Sequence, residues 1–152
     1  VTETKPVGQV GRANGKTILV VEGDDLNRTF FVDVLEANGY AAVAERDAAR
    51  VLELARERRP DLVMLGVRLA GTSGLEAARL LKADAEAGQI PIIAVTALAS
   101  RQESERIVAS GCDGYLVKPV AIANLVAAVR RHTGETVNPG KSGVGGVETR
   151  PT

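Results

Sequence analysis

The reading of the fold turns on ILVVEGDDLNRTFFVDVLEANG, residues 18–39. A continuous aliphatic run, Ile18 to Val21, stops at Glu22, Gly23, Asp24 and Asp25, and apolar residues then recur at Leu26, Phe30, Val34 and Leu35 ahead of Gly39. An apolar run without polar alternation suits a strand buried on both faces of a parallel sheet. Recurrence at three and four residues predicts a helix with one apolar stripe, and the glycine marks its end.

The same alternation continues along the chain. Leu62 to Leu65, Ile92 to Val95 and Tyr115 to Val117 are further buried-strand runs, with Ala41 to Ala44 a weaker one. Helical stripes lie between and after them at Val51, Leu52 and Ala55, at Leu75, Ala78 and Leu81, and at Ile122, Leu125, Val126 and Val129. Ser73 with Glu76 and Ser100 with Glu103 have the spacing of capping boxes, so two helix starts are marked, and Gly111 marks a second helix end. Five strand-helix alternations predict an α/β domain with helices on both faces of the sheet, because right-handed crossovers require it. Sites in such sheets lie at the carboxyl ends of the strands. Those ends carry Glu22 to Asp25, Gly66, Thr96 and Lys118-Pro119.

Composition narrows the function classes. The 152 residues fit one domain, against about 100 to 200 residues for a typical one. With 45% hydrophobic and 25% charged residues the chain has the balance of an ordinary globular protein. Its 19 basic and 19 acidic residues cancel, so no global field draws it to nucleic acid or to anionic lipid. Aromatics are 3% with no Trp, which argues against a base-stacking platform or a ring-lined carbohydrate site. The single Cys112 forms no internal disulfide, and no apolar run approaches the roughly 18 residues of a membrane span, so the cytoplasm is the expected location. Residues 1–16 and 134–152 hold half of the 16 glycines and little apolar clustering, and are expected to be flexible tails flanking a folded unit at 17–133.

ILVVEGDDLNR at 18–28, PDLVMLGVRLAGTSGLE at 60–76, IPIIAVTALA at 90–99 and GCDGYLVKP at 111–119 resemble the receiver domain of two-component response regulators, over essentially the whole folded unit. The resemblance implies a doubly wound, five-stranded parallel sheet in the flavodoxin-like order 2-1-3-4-5. It implies a strand-end aspartate that takes a phosphoryl group from a histidine kinase, with Mg²⁺ held by acidic residues after the first strand. It places Thr96 at the phosphoryl-sensing position, Tyr115 at the rotating aromatic and Lys118 at the lysine before a usually cis proline.

At two positions the sequence departs from that pattern. Gly66 stands where the acceptor aspartate is expected, and a side chain of one hydrogen offers no oxygen to attack phosphorus. The acidic pair reads Glu22-Gly23, so the second acid is absent, whereas Mg²⁺ takes near-octahedral oxygen ligation including one or two carboxylates. Mg²⁺ binding is therefore expected to be weak or absent. Asp24 and Asp25 fall one and two residues late; Asp24 stays a member of a degenerate acidic pocket, although capping of the first helix explains both acids more simply. A lysine deprived of its aspartate is costly to leave unpaired, so Lys118 is expected to meet Glu22, or else an anion or water cluster.

Other motifs carry less. Gly66 to Ser73 has the glycine spacing of a phosphate loop but Thr72 in place of its lysine, and Gly15-Lys16-Thr17 is followed by a strand. His132 follows Arg130 and Arg131 at a helix end, where a cation suits the dipole. Cys112 reads as a small packing residue. The leading expectation is a receiver-like adaptor, not an enzyme, without cofactor or phosphoryl chemistry. Its partner would be a histidine kinase or another regulator, met through residues 101–110, 115–117 and 121–131, with a homodimer as an alternative. A second reading makes the vacated pocket a sensor for a small anion or nucleotide held by Lys118, and a third makes Asp24 or Asp25 the acceptor.

Overall fold

A parallel sheet that buries both faces needs strands apolar at every position, and the three longest aliphatic runs are its centre. The computed structural model describes residues 15–69, 73–98, 100–134 and 148–149. Strands β1 (Thr17–Val21), β2 (Ala41–Glu45), β3 (Leu62–Gly66), β4 (Ile92–Thr96) and β5 (Gly114–Val117) run parallel in the expected order β2-β1-β3-β4-β5. β3 and β4 are buried throughout, while β2, the weak run, is only half-buried at the edge.

Helices α1 (Asp25–Ala37) and α5 (Ile122–His132) cover one face, and α2 (Val51–Arg58), α3 (Gly74–Ala83) and α4 (Arg101–Ala109) the other. Strand alternation feeds both layers. Leu19, Val21, Val63 and Leu65 join Val51, Leu75, Leu81 and Ile107, whereas Ile18, Val20, Leu62 and Met64 join Phe31, Leu35, Leu125 and Val129. Gly39 and Gly111 end α1 and α4 with φ of 93° and 96°, as their positions predict.

Two expectations need correction. The α1 stripe is rotated: Phe31, Val34 and Leu35 are buried, Phe30 is half-buried and Leu26 is 82% exposed, because the first turn of α1 overhangs the carboxyl edge of the sheet. Ile122, in the first turn of α5, is 55% exposed for the same reason. A sixth strand, β6 (Glu148–Thr149), pairs antiparallel with β5. An edge strand has unpaired N–H and C=O groups that any extended segment within reach can fill. The remainder of the tail expected at 134–152, and residues 1–14 of the first, lie outside the described residues.

One close approach sets the shape of the β3–α3 connection. The Gly74 amide donates to the Val67 carbonyl at 2.8 Å, and a Cβ on Gly74 would stand 1.8 Å from the Gly66 carbonyl oxygen. Only glycine lets α3 start here, directly against the end of β3. Gly74→Ala should lower stability by about 1–3 kcal/mol or more through overpacking, read from urea unfolding; unchanged stability would mean that α3 does not seat this way.

On the same side, Asp84 at the end of α3 accepts from the Arg56 guanidinium of α2 and from the Glu86 and Ala87 amides. The Arg56 contact foremost, with the Ala87 amide, holds the Asp84 carboxyl down to about 2. The unfolded value is about 3.9, so the stabilisation is complete above about pH 4 and is lost as pH falls through about 2. Urea unfolding across pH should show Asp84→Asn less stable than wild type above about pH 4, with the gap closing toward about pH 2.

Candidate functional site

Strand order reverses between β1 and β3, and a crevice opens at their carboxyl ends. Glu22 and Gly23 follow β1, Gly66 ends β3, Thr96 ends β4 and Lys118 follows β5. Topology thus gathers at one edge residues far apart in the chain.

Glu22 is a buried acid at this edge, 3% exposed. Its Oε2 accepts from Lys118 Nζ at 3.1 Å and from the Asp24 amide at 3.0 Å. The expected Glu22–Lys118 contact is present, and it reaches from β5 across β4 and β3 to β1. Glu22 Oε1 has no partner and lies 3.4 Å from where a Cβ on Gly66 would stand. Leu69 covers both glycines: its Cδ2 is 3.2 Å from an ideal Cβ on Gly66 and 3.7 Å from one on Gly23. An apolar side chain thus lies against both glycines.

Asp24 does not bring its carboxylate to the crevice. Its side chain accepts the Asn27 amide at 2.8 Å and caps α1, and only its amide reaches Glu22. Asp25 pairs with Arg28 at 2.5 Å, which holds the carboxyl below its ordinary value, and Arg28 also donates to the Glu22 carbonyl at 2.8 Å. Among the described residues no three His, Cys, Asp or Glu side chains converge. One carboxylate, already bonded to an ammonium, does not fit Mg²⁺, which needs a set of oxygen ligands.

Thr96 is turned the other way. Its hydroxyl donates to Glu103 Oε2 at 3.1 Å and accepts from the Leu98 amide at 3.1 Å. Glu103, on the first turn of α4, is 2% exposed and is also met by Arg106 at 3.3 Å and Arg68 at 3.6 Å. Sequence reasoning missed this residue. The Ser100-x-x-Glu103 spacing suggests a capping box, and Ser100 does cap α4 by accepting the Glu103 amide at 3.0 Å. The Glu103 carboxylate, however, goes inward to Thr96. Ser73 caps α3 through the Leu75 amide at 3.1 Å, but Glu76 turns outward to Arg79.

Tyr115 is half-buried against the layer that contains Ile107, and the Lys118-Pro119 peptide is cis. Cys112 is fully buried, with its Sγ 3.4 Å from Ser110 Oγ, and burial pushes its thiol up, which suits packing. His132 Nδ1 lies 2.9 Å from the Ala128 carbonyl oxygen within α5, away from the crevice. A cleft of about 330 Å³, lined by Ala55, Arg56, Arg59, Pro60, Glu86 and Ile90, lies at the amino ends of β3 and β4, opposite the crevice.

A doubly wound sheet with its polar groups collected at the switch point and strand ends defines a receiver-type α/β domain. The family model for the response regulator receiver domain matches residues 18–130, and the chain belongs to that family, whose members act in two-component signalling. The polar-differentiation response regulator DivK of Brucella anthropi is 39% identical over 120 residues, a match that covers 79% of this chain and 98% of that protein. DivK of Brucella melitensis is 38% identical over the same length and coverage. Among solved structures, the receiver domain of the sensor histidine kinase PA1611 from Pseudomonas aeruginosa, which has magnesium coordinated in its active-site cleft, is 30% identical with a TM-score of 0.75, covering 80% of this chain and 99% of that one. The chemotaxis response regulator CheY4 of Vibrio cholerae shares the fold, with a TM-score of 0.73 at 23% identity over 77% of this chain and 98% of that one.

The Glu103 network yields a test. Glu103→Ala strips Thr96, Arg68 and Arg106 of their acceptor and should cost about 1–3 kcal/mol in urea unfolding, as for a buried hydrogen-bonding group left unmatched. Glu103→Gln, which still accepts from the Thr96 hydroxyl, should recover part of that loss; equal losses would argue that packing alone holds this end of α4.

Proposed function

We propose that this receiver domain is degenerate: it keeps the scaffold and has lost phosphoryl acceptance, so it signals by contact with a protein, a histidine kinase or another regulator, rather than as an enzyme. The observation that carries the reading is the state of the crevice. Gly66 and Gly23 bring no oxygen to it, Leu69 covers both, and Lys118 is already neutralised by Glu22. Mg²⁺ binding is correspondingly weak or absent. In this reading Thr96, Tyr115 and Lys118 are retained switch positions, and Glu103 occupies the Thr96 hydroxyl that a phosphoryl group would otherwise engage.

The docking face is α4, β5 and α5, residues 101–110, 115–117 and 121–131. Exposed Leu98, ahead of α4, and Ile122, opening α5, support a protein partner on this side. Among the described residues no helix is long and apolar enough to cross a membrane, which accords with a cytoplasmic regulator. The small-anion reading draws less support, because the Lys118 amine already has a carboxylate and the orphaned Glu22 Oε1 would repel an anion.

Incubation of the wild-type chain with a small phosphodonor and Mg²⁺ should add no hydroxylamine-sensitive phosphate; a stoichiometric acyl phosphate on any Asp, including Asp24 or Asp25, would sink the reading. Neither Gly23 nor Gly66 has positive φ, so both backbones accept an L side chain. Gly66→Asp alone should bind Mg²⁺ and take up phosphate weakly or not at all. Gly23→Asp with Gly66→Asp should recover both once Leu69 moves aside, a coupled rather than additive gain. A folded double mutant inert in both assays would mean that the scaffold has diverged beyond these two positions.

A further inference from the structure

Antiparallel β6 lies along the outer side of β5, with Glu148 opposite Tyr115 and Thr149 opposite Gly114. The Lys118 amide donates to the Thr96 carbonyl, so by the alternation of a strand the Leu116 amide also faces β4 and the Tyr115 amide faces outward. That outward edge is a template for any extended chain. The chain's own tail fits it by sequence. In the sequence, β-branched Val147 and Thr149 alternate with Glu148 and Arg150, a composition suited to a strand. The linker at 135–147 reaches about 45 Å when extended, well beyond the length of α5, about 16 Å.

The pairing is short. Two residues of ladder gain little against the entropy of loop closure, so a longer strand can displace the segment. β5 lies between α4 and α5, which pack on opposite faces of the sheet. We propose that the outer edge of β5 is a strand-accepting docking surface whose resident occupant is this chain's own Glu148–Thr149 segment, and that this segment competes with a partner for the α4, β5 and α5 face. The competition rests on the adaptor reading above; the strand pairing does not. Recognition is by main-chain hydrogen bonds along a sheet edge, and an incoming extended peptide of a partner would replace one strand with another.

Amide hydrogen exchange of the full chain, followed by NMR, tests this. Glu148→Pro removes the amide opposite Tyr115 and should speed exchange at Tyr115 about tenfold, while Leu116, bonded to β4, is unchanged. Thr149→Ala, which keeps the backbone, should behave as wild type. A peptide of residues 145–152, added at the millimolar level that matches a tethered segment, should restore protection to the proline variant. Equal exchange at Tyr115 in wild type and Glu148→Pro overturns the pairing, and failure of the peptide to protect overturns the docking surface. Protection that rises with protein concentration together with a dimeric mass assigns the strand to a second copy and overturns the intramolecular occupant. In a parallel pull-down, a histidine kinase or regulator captured more strongly by Glu148→Pro supports the competition. Absence of any partner, with the exchange results intact, counts against the adaptor reading alone.

Discussion

A carboxylate taken almost wholly out of water must be met by charge or by donors, and at Glu22 this requirement organises the carboxyl edge of the sheet. Lys118 meets it from the far side, so the ends of β1 and β5, separated by β3 and β4, are joined by one ion pair. The Asp24 amide meets the same oxygen and seats the start of α1. Breaking a buried pair by removing one partner leaves an uncompensated charge, which costs more than the pair contributes. The contact therefore constrains where α1 begins and how the chain leaves β5.

Around that pair, side chains at the carboxyl edge are engaged by other groups of the chain. Leu69 lies over the two glycines, Lys118 is bonded to Glu22, and the Thr96 hydroxyl is bonded to Glu103. The three contacts come from different parts of the chain, the β3–α3 connection, the β5–α5 connection and the first turn of α4. Glu103 also gathers Arg68 and Arg106, which ties the β3–α3 connection to α4.

Much of this was legible in the residues. The uninterrupted aliphatic runs could only be buried strands, and their spacing with helical stripes led to the doubly wound sheet; the weak run at Ala41 to Ala44 became the edge strand β2, where burial is least. The absence of oxygen at Gly66 and the need of Lys118 for an acid were both readable, because they follow from side-chain chemistry alone. Leu26 and Phe30 were misread because the residues 31, 34 and 35 satisfy helical spacing as well as 26, 30 and 34 do, and only the sheet decides which face is inward. Glu103 was hidden by its own cap motif: the spacing to Ser100 explains the residue locally, and nothing nearby in sequence points to Thr96.

Sequence by itself determined the class of fold, the residues at the strand ends and the lack of a side-chain oxygen at Gly66, since periodicity, strand ends and functional groups are local properties. Tertiary structure alone decided what lies against Gly23 and Gly66, which partner Thr96 takes and what pairs with the outer edge of β5. Those contacts join residues such as Glu22 and Lys118, or Tyr115 and Glu148, that are distant along the chain. Their distances and partners exist only after four crossovers have brought the strand ends together.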